Sequence, residues 1–240
     1  MERLAQSHAR RQHWPIMPAT GLELQTIAPL REAWHRLLGE NAKTWWTKAQ
    51  HAYSEPQRAY HTLLHLATMY DLYHTHRDAL ALASWQRVFV LAIVFHDIVY
   101  DPLSKTNELD SISSFRMFVS DACPSMGSEE IGLVEAMIEA TIRHEMPASC
   151  NSDAARHVIG SFLDLDLAIL SSTNDVYDEY TKQIRMEYIA YSEAEFQQGR
   201  AAVLKSFLHR DNLYFTRRFQ DEWTAAARAN IERELKNLTG

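Results

Sequence analysis

Few chain breakers and apolar residues recurring at helical spacing predict an all-α protein. Gly and Pro number only seven each in 240 residues, and the apolar positions follow a 3.6-residue period through most of the chain. No internal repeat, low-complexity tract or linker divides it, so a single-domain helical bundle is the economical reading. The chain is long enough to bury a substantial core. Its 46% apolar and 23% charged content suits a soluble globular protein. A net charge of -7 argues against a nucleic-acid polymer as partner. The longest apolar run falls short of the roughly 20 residues a membrane span needs. Cys123 and Cys150, the only cysteines, make neither a disulfide framework nor a Cys-x-x-Cys site, and the N-terminus lacks the apolar core of a signal peptide. A cytoplasmic protein is expected.

Residues 1-20 are polar, with Pro15 and Pro18, and read as a lead-in to a domain over 21-240. Leu24 to Leu38 carries Leu24, Ile27, Leu30, Trp34, Leu37 and Leu38 at helical spacing, with Pro29 as a break point and Gly39 as a C-cap. Asn41 is expected to cap a helix containing Trp45 and Trp46. From Gln57 a helix should carry Tyr60, His61, Leu64, His65, Thr68 and Leu72 along one side. Ser84 is expected to cap a helix running into His96 and Asp97, with Asp101-Pro102 ending it. Helices then follow over Glu108 to Phe118 and Glu129 to His144, and from Asp153 through Leu170. Asn174 or Asp175 starts another, Ser192 caps Phe196 to Leu208, and a last amphipathic helix spans roughly Phe219 to Leu235.

The central stretch is 88-101. Eight apolar residues, Val88 to Phe95, run straight into His96 and Asp97. A carboxylate that deep in an apolar segment is costly to bury unless a cation satisfies it. A structural ion pair is the plain explanation and a metal ion the functional one. His61 and His65, four apart, share a helical face and can reach one centre, or they are two partly exposed helix histidines. Asp164 and Asp166 also sit amid apolar residues. Two apart on a helix, they point roughly 200° from each other, so one can face a centre while the other does a different job. Imidazoles mixed with carboxylates suit a first-row divalent ion better than calcium or a thiolate-type zinc site. Such an ion activates water for hydrolysis of a phosphate ester or anhydride.

Four segments carry a resemblance: Tyr-Ser-Glu-Pro-Gln-Arg-Ala-Tyr-His-Thr-Leu-Leu-His-Leu (53-66), Phe-His-Asp-Ile-Val-Tyr-Asp-Pro (95-102), Phe-Leu-Asp-Leu-Asp-Leu-Ala-Ile-Leu (162-170) and Ile-Arg-Met-Glu-Tyr (184-188). In this order they resemble a predicted-phosphohydrolase branch of the HD superfamily of metal-dependent phosphohydrolases, over about residues 20-238. The resemblance implies a helical bundle of the HD/phosphodiesterase type, with His65, His96, Asp97 and a late aspartate as metal ligands. Asp166 is preferred for the last, because Asp-Leu-Asp-Leu resembles the Ala-Asp-Leu segment of related cyclic-nucleotide phosphodiesterases; Asp164 is its rival. Tyr60-His61-Thr62-Leu63-Leu64-His65 matches those enzymes' Tyr-His-Asn-x-x-His in spacing, which implies His61 as proton donor to the leaving oxygen. Thr62 replaces their Asn and no purine-clamping glutamine is identifiable, so cyclic-nucleotide specificity does not carry over.

The same resemblance offers His144 as a ligand to a second metal, against a structural or substrate-contacting role. It offers Glu108 as an acid orienting the attacking water, against an exposed helix-start carboxylate. Arg58, Arg185 and Arg200 are candidate phosphate clamps, since guanidinium meets phosphate in bidentate fashion. The expected activity is hydrolysis of a small phosphorylated molecule, most plausibly a nucleotide, with Mn, Mg, Co, Ni, Fe or Zn as cofactor. The alternatives are a metal- or nucleotide-binding regulator without turnover, and a di-iron oxygenase of similar fold. Homo-oligomerisation is compatible with the sequence but not indicated by it.

Overall fold

Val88 to Phe95 are all buried, eight residues in succession. A helix apolar on every side must be surrounded by others, and this one, α4 (Gln86–Phe95), forms the centre of a computed structural model that describes residues 26-148 and 150-239. Ten α-helices and no strand occur among the described residues, so the protein is all-α. Around α4 pack α1 (Ala28–Leu38), α3 (Leu63–His76), α5 (Asn107–Ala122) and α6 (Ser128–Thr141). Helix α2 (Lys43–Ala52) lies against α1, and α7 (Asp153–Asp166) against α3 and α6. None of these helices is long and apolar enough to cross a membrane.

One end of α4 is sealed by aromatic rings. Phe95 sits 5.4 Å from Phe115, 5.2 Å from Phe118 and about 6 Å from Trp34 and Trp45. The Tyr53 hydroxyl donates to the Val94 carbonyl at 3.1 Å, satisfying an acceptor that the helix end would orphan. The chain therefore leaves the helix at a fixed place, and His96 and Asp97 emerge there.

The remaining helices, α8 (Asn174–Glu187), α9 (Glu193–Leu208) and α10 (Arg217–Thr239), cover the far end of α7. Helix α10 packs on a 3-10 turn, Leu167–Ser171, that follows α7 directly. Asn230 donates to Leu170 O and Ser172 O at 2.9 Å each, fixing that turn. Ser192 and Glu195 form a reciprocal capping box at the start of α9. At Gly160 an added Cβ would fall 2.7 Å from the Phe215 Cβ, so only glycine lets α7 approach the loop before α10 this closely.

Several boundaries differ from expectation. The lead-in at 1-20 lies outside the described residues. Pro29 opens α1 instead of splitting it, since proline suits a first turn. Asn41 lies inside a 3-10 turn, Glu40–Ala42, and caps nothing; Ser84 likewise sits in the 3-10 turn Ala83–Trp85. Helix α3 begins at Leu63, after His61, and α4 stops at Phe95, well before Asp101. Helix α6 stops at Thr141, three residues short of His144, and Ser152 rather than Asp153 caps α7.

Candidate metal centre

The ends of three helices meet beside the aromatic seal. His65 lies in the first turn of α3, whose N-cap Thr62 accepts the Leu64 amide at 3.3 Å. His96 and Asp97 follow the last residue of α4, and Asp166 is the last residue of α7. His65 Nε2 stands 3.2 Å from His96 Nε2 and 3.2 Å from Asp166 Oδ1. His96 Nε2 is 3.0 Å from Asp97 Oδ2 and 3.7 Å from Asp166 Oδ1. The two imidazoles form a buried floor, while Asp97 and Asp166 are partly open to solvent.

The donor set suits a divalent ion. His96 Nδ1 lies 3.0 Å from the Ile93 carbonyl, so that nitrogen carries the proton and Nε2 turns its lone pair inward. His65 Nε2 and His96 Nε2, 3.2 Å apart, cannot both present lone pairs without a cation or a proton between them. The titration behaviour points the same way. Burial opposes charge on His96, but Asp97 and Asp166 outweigh it and push the pKa up to about 9. Burial, only partly offset by Asp166, lowers that of His65. Against burial, the surrounding imidazoles hold both Asp97 and Asp166 well below the usual carboxylate range. This corner of the protein demands positive charge. His65, His96 and Asp97 alone place three ligand atoms within 4.8 Å of one another.

The chain matches no family model, no curated protein and no solved structure. What the site can do is therefore argued from its own geometry.

Asp164 does not share the centre. It is fully buried and turned away, and its two oxygens accept the Phe215 and Thr216 amides at 2.6 and 2.7 Å. Burial pushes its pKa up to about 7 despite those bonds. It ties the α7 end to the start of α10. Asp166, two residues on, faces the histidines.

His61 and His144 lie beside different carboxylates of the cluster. His61 Nε2 is 3.8 Å from Asp97 Oδ2, and His144 Nε2 is 3.0 Å from Asp166 Oδ2. His61 is not on the helix expected for it, because the amides of Ala59, Tyr60 and His61 all point at Glu187 Oε1, at 2.8, 2.8 and 2.9 Å. The backbone wraps that carboxylate as a nest wraps an anion. Glu187 Oε2 meets His61 Nδ1 and the Tyr100 hydroxyl, both at 2.7 Å. Burial alone would raise Glu187, yet these partners hold it at about 2. Burial likewise opposes charge on His61, but Asp97 and Glu187 prevail and raise its pKa. Sequence reasoning did not single out Glu187. Its signal was an acid in the Ile184-to-Tyr188 segment, beside the apolar face of α8.

The three arginines are committed elsewhere. Arg58 is a correction to the expected clamp: its buried guanidinium donates to the carbonyls of His61, Asp97 and Ile98 at 3.1, 2.8 and 3.1 Å. It staples the strands of backbone that carry the site and leaves no fork for phosphate. Arg185 bonds Glu193 and the Tyr188 and Tyr191 carbonyls, and Arg200 bonds both oxygens of Glu234 and lies against Tyr180. Glu108 lies in the first turn of α5, with no hydrogen bond or ion pair to the cluster among the described residues. Tyr60 forms an aromatic wall, its ring 5.0 Å from those of both His61 and His65.

Proposed function

We propose that this chain is a divalent-metal-dependent phosphohydrolase of the HD type, acting on a small phosphorylated molecule such as a nucleotide. The observation that carries the reading is the convergence of His65, His96, Asp97 and Asp166, at the ends of three separate helices, on one electron-rich centre with His61 beside it. These four residues would hold the ion. When bound, it supplies Lewis-acid polarisation of a phosphoryl oxygen and lowers the pKa of a coordinated water.

The chain's own groups supply the rest. His65 and His96 close the floor against bulk water. Glu187 keeps the proton on His61 Nδ1 and favours the charged ring, so Nε2 carries a second proton on the Asp97 side of the cluster. As water attacks phosphorus and the bond to the leaving oxygen breaks, that Nε2 proton passes to the leaving oxygen. Glu187 then stabilises the neutral imidazole in one tautomer, ready to be reprotonated. The arginines take no part in this account, because their donors are already bonded within the protein.

The test is phosphate release from nucleotides and phospho-sugars with added manganese, cobalt, nickel or magnesium, alongside metal analysis of His65→Ala and Asp97→Ala. Turnover that needs the ion, with both variants depleted of metal, supports the reading. Full metal content in both variants would sink it. Ligand binding without phosphate release under any ion would favour the regulatory alternative, and dioxygen consumption with bound iron the oxygenase.

A further inference from the structure

The segment after α6 carries a residue in an unfavourable conformation. His144 has a φ of +50°, in the left-handed region that a side chain with a Cβ rarely adopts. The turn is closed by the Glu145 amide, which donates to the Ala140 carbonyl at 3.2 Å, and Arg210 braces it from outside. Its Nη1 donates to the His144 carbonyl and its Nη2 to the Arg143 carbonyl, each at 2.7 Å. The guanidinium lies over the Phe207 ring at 4.7 Å, and that ring meets the His144 imidazole edge-on at 5.9 Å. Arg210 is itself held: Arg228 of α10 donates to its carbonyl at 2.6 Å and to that of Leu208 at 3.0 Å.

At the other end, the His144 imidazole meets one oxygen of Asp166 at 3.0 Å, while the second oxygen faces His65 and His96 at 3.2 and 3.7 Å. We propose that Arg210 is a positioning residue: it pins two successive carbonyls of the turn that places His144, and through His144 aims the Asp166 carboxylate at the histidine pair. A planar fork bridges two neighbouring carbonyls, which a lysine ammonium on a flexible stem does not reproduce. His144 in this account orients a ligand and is not itself required to bind an ion. The inference rests on the metal-centre reading for its purpose, and its geometric half can be tested without metal.

The experiment compares wild type, Arg210→Ala, Arg210→Lys, His144→Ala and the Arg210→Ala/His144→Ala double variant. Manganese(II) titration gives affinity, and the imidazole nitrogen resonances of the metal-free protein report on each ring. Arg210→Ala is expected to weaken manganese binding by about 10-fold or more, the range for losing a partner that orients a ligand. Arg210→Lys is expected to fall between it and wild type. The double variant should bind no more weakly than the worse single one, because both substitutions cut the same chain of contacts. In metal-free Arg210→Ala the His144 resonances should move while those of His61 stay in place. Wild-type affinity with unmoved His144 resonances in Arg210→Ala, or strictly additive losses in the double variant, would overturn the proposal. If Arg210→Ala does not fold, Arg210→Lys decides by the same two readouts. A wild-type protein that binds no manganese defeats the metal-centre reading instead, and the His144 resonances then judge the positioning role alone.

Discussion

Asp164 and Asp166 sit two positions apart on α7, both amid apolar neighbours, and do opposite work. Asp164 is held by two backbone amides; Asp166 faces three imidazoles and accepts no backbone amide among the described residues. The difference follows from helix geometry, since residues two apart point to nearly opposite sides. One side of α7 meets the loop entering α10, and the other meets the ends of α3 and α4. A buried acid bonded to amides is a fastener. A half-buried acid set among imidazoles favours positive charge beside it.

Breaking the fastener should have the largest effect on stability. Asp164→Ala leaves the Phe215 and Thr216 amides without an acceptor, and a loss of about 2–5 kcal/mol is expected in urea unfolding. Metal binding by the protein that remains folded should be little changed. A variant as stable as wild type would show that the two amides find other partners cheaply.

Glu187 combines both roles and tests the comparison through pH. Its folded pKa of about 2 lies below the ordinary value of 4.5. A depressed carboxylate contributes stability that is fully present above the unfolded pKa and is lost as pH falls through the folded one. The contribution here is on the order of 3 kcal/mol, lost between about pH 4.5 and pH 2. Replacing Glu187 with Gln should flatten that acid limb of a stability-against-pH curve and lower the His61 pKa seen by NMR. An unchanged limb would mean that the Glu187 contacts do not favour its charged form.

The smallest effect is expected at Gly160→Ala. The new methyl group must displace Phe215, whose Cβ would lie 2.7 Å away, at a cost of about 1–3 kcal/mol. Because Phe215 supplies one of the Asp164 amides, the strain falls on the fastener side of α7. Thermal melting should register it while metal affinity does not; loss of affinity would mean that the two sides of α7 are mechanically coupled.

How much of this was legible depended on whether the partners were local. Helix α4 could be read from eight apolar residues in a row, and the polar dyad at its end marked a site because burial makes it expensive. The opposed roles of Asp164 and Asp166 were legible as an alternative, but which was which depended on helices far away in sequence. His61 was assigned to a helix because its spacing from His65 fits one. The structure instead bends amides 59-61 around Glu187, an acid 126 residues later for His61, and no local pattern announces such a partner. Arg58 looked like a phosphate clamp because guanidinium chemistry is the same whether it meets phosphate or carbonyls. The Arg210–His144 contact was invisible for a related reason: it is made through backbone carbonyls, which every residue possesses.

The central claim is best tested by titrating manganese(II) into Asp166→Asn and Asp164→Asn side by side with wild type, following free ion by electron paramagnetic resonance. The account predicts an affinity loss in Asp166→Asn exceeding the roughly 100-fold upper range for outer partners of a metal site, with Asp164→Asn binding as wild type does. Equal affinities in both variants, or the larger loss in Asp164→Asn, would contradict it.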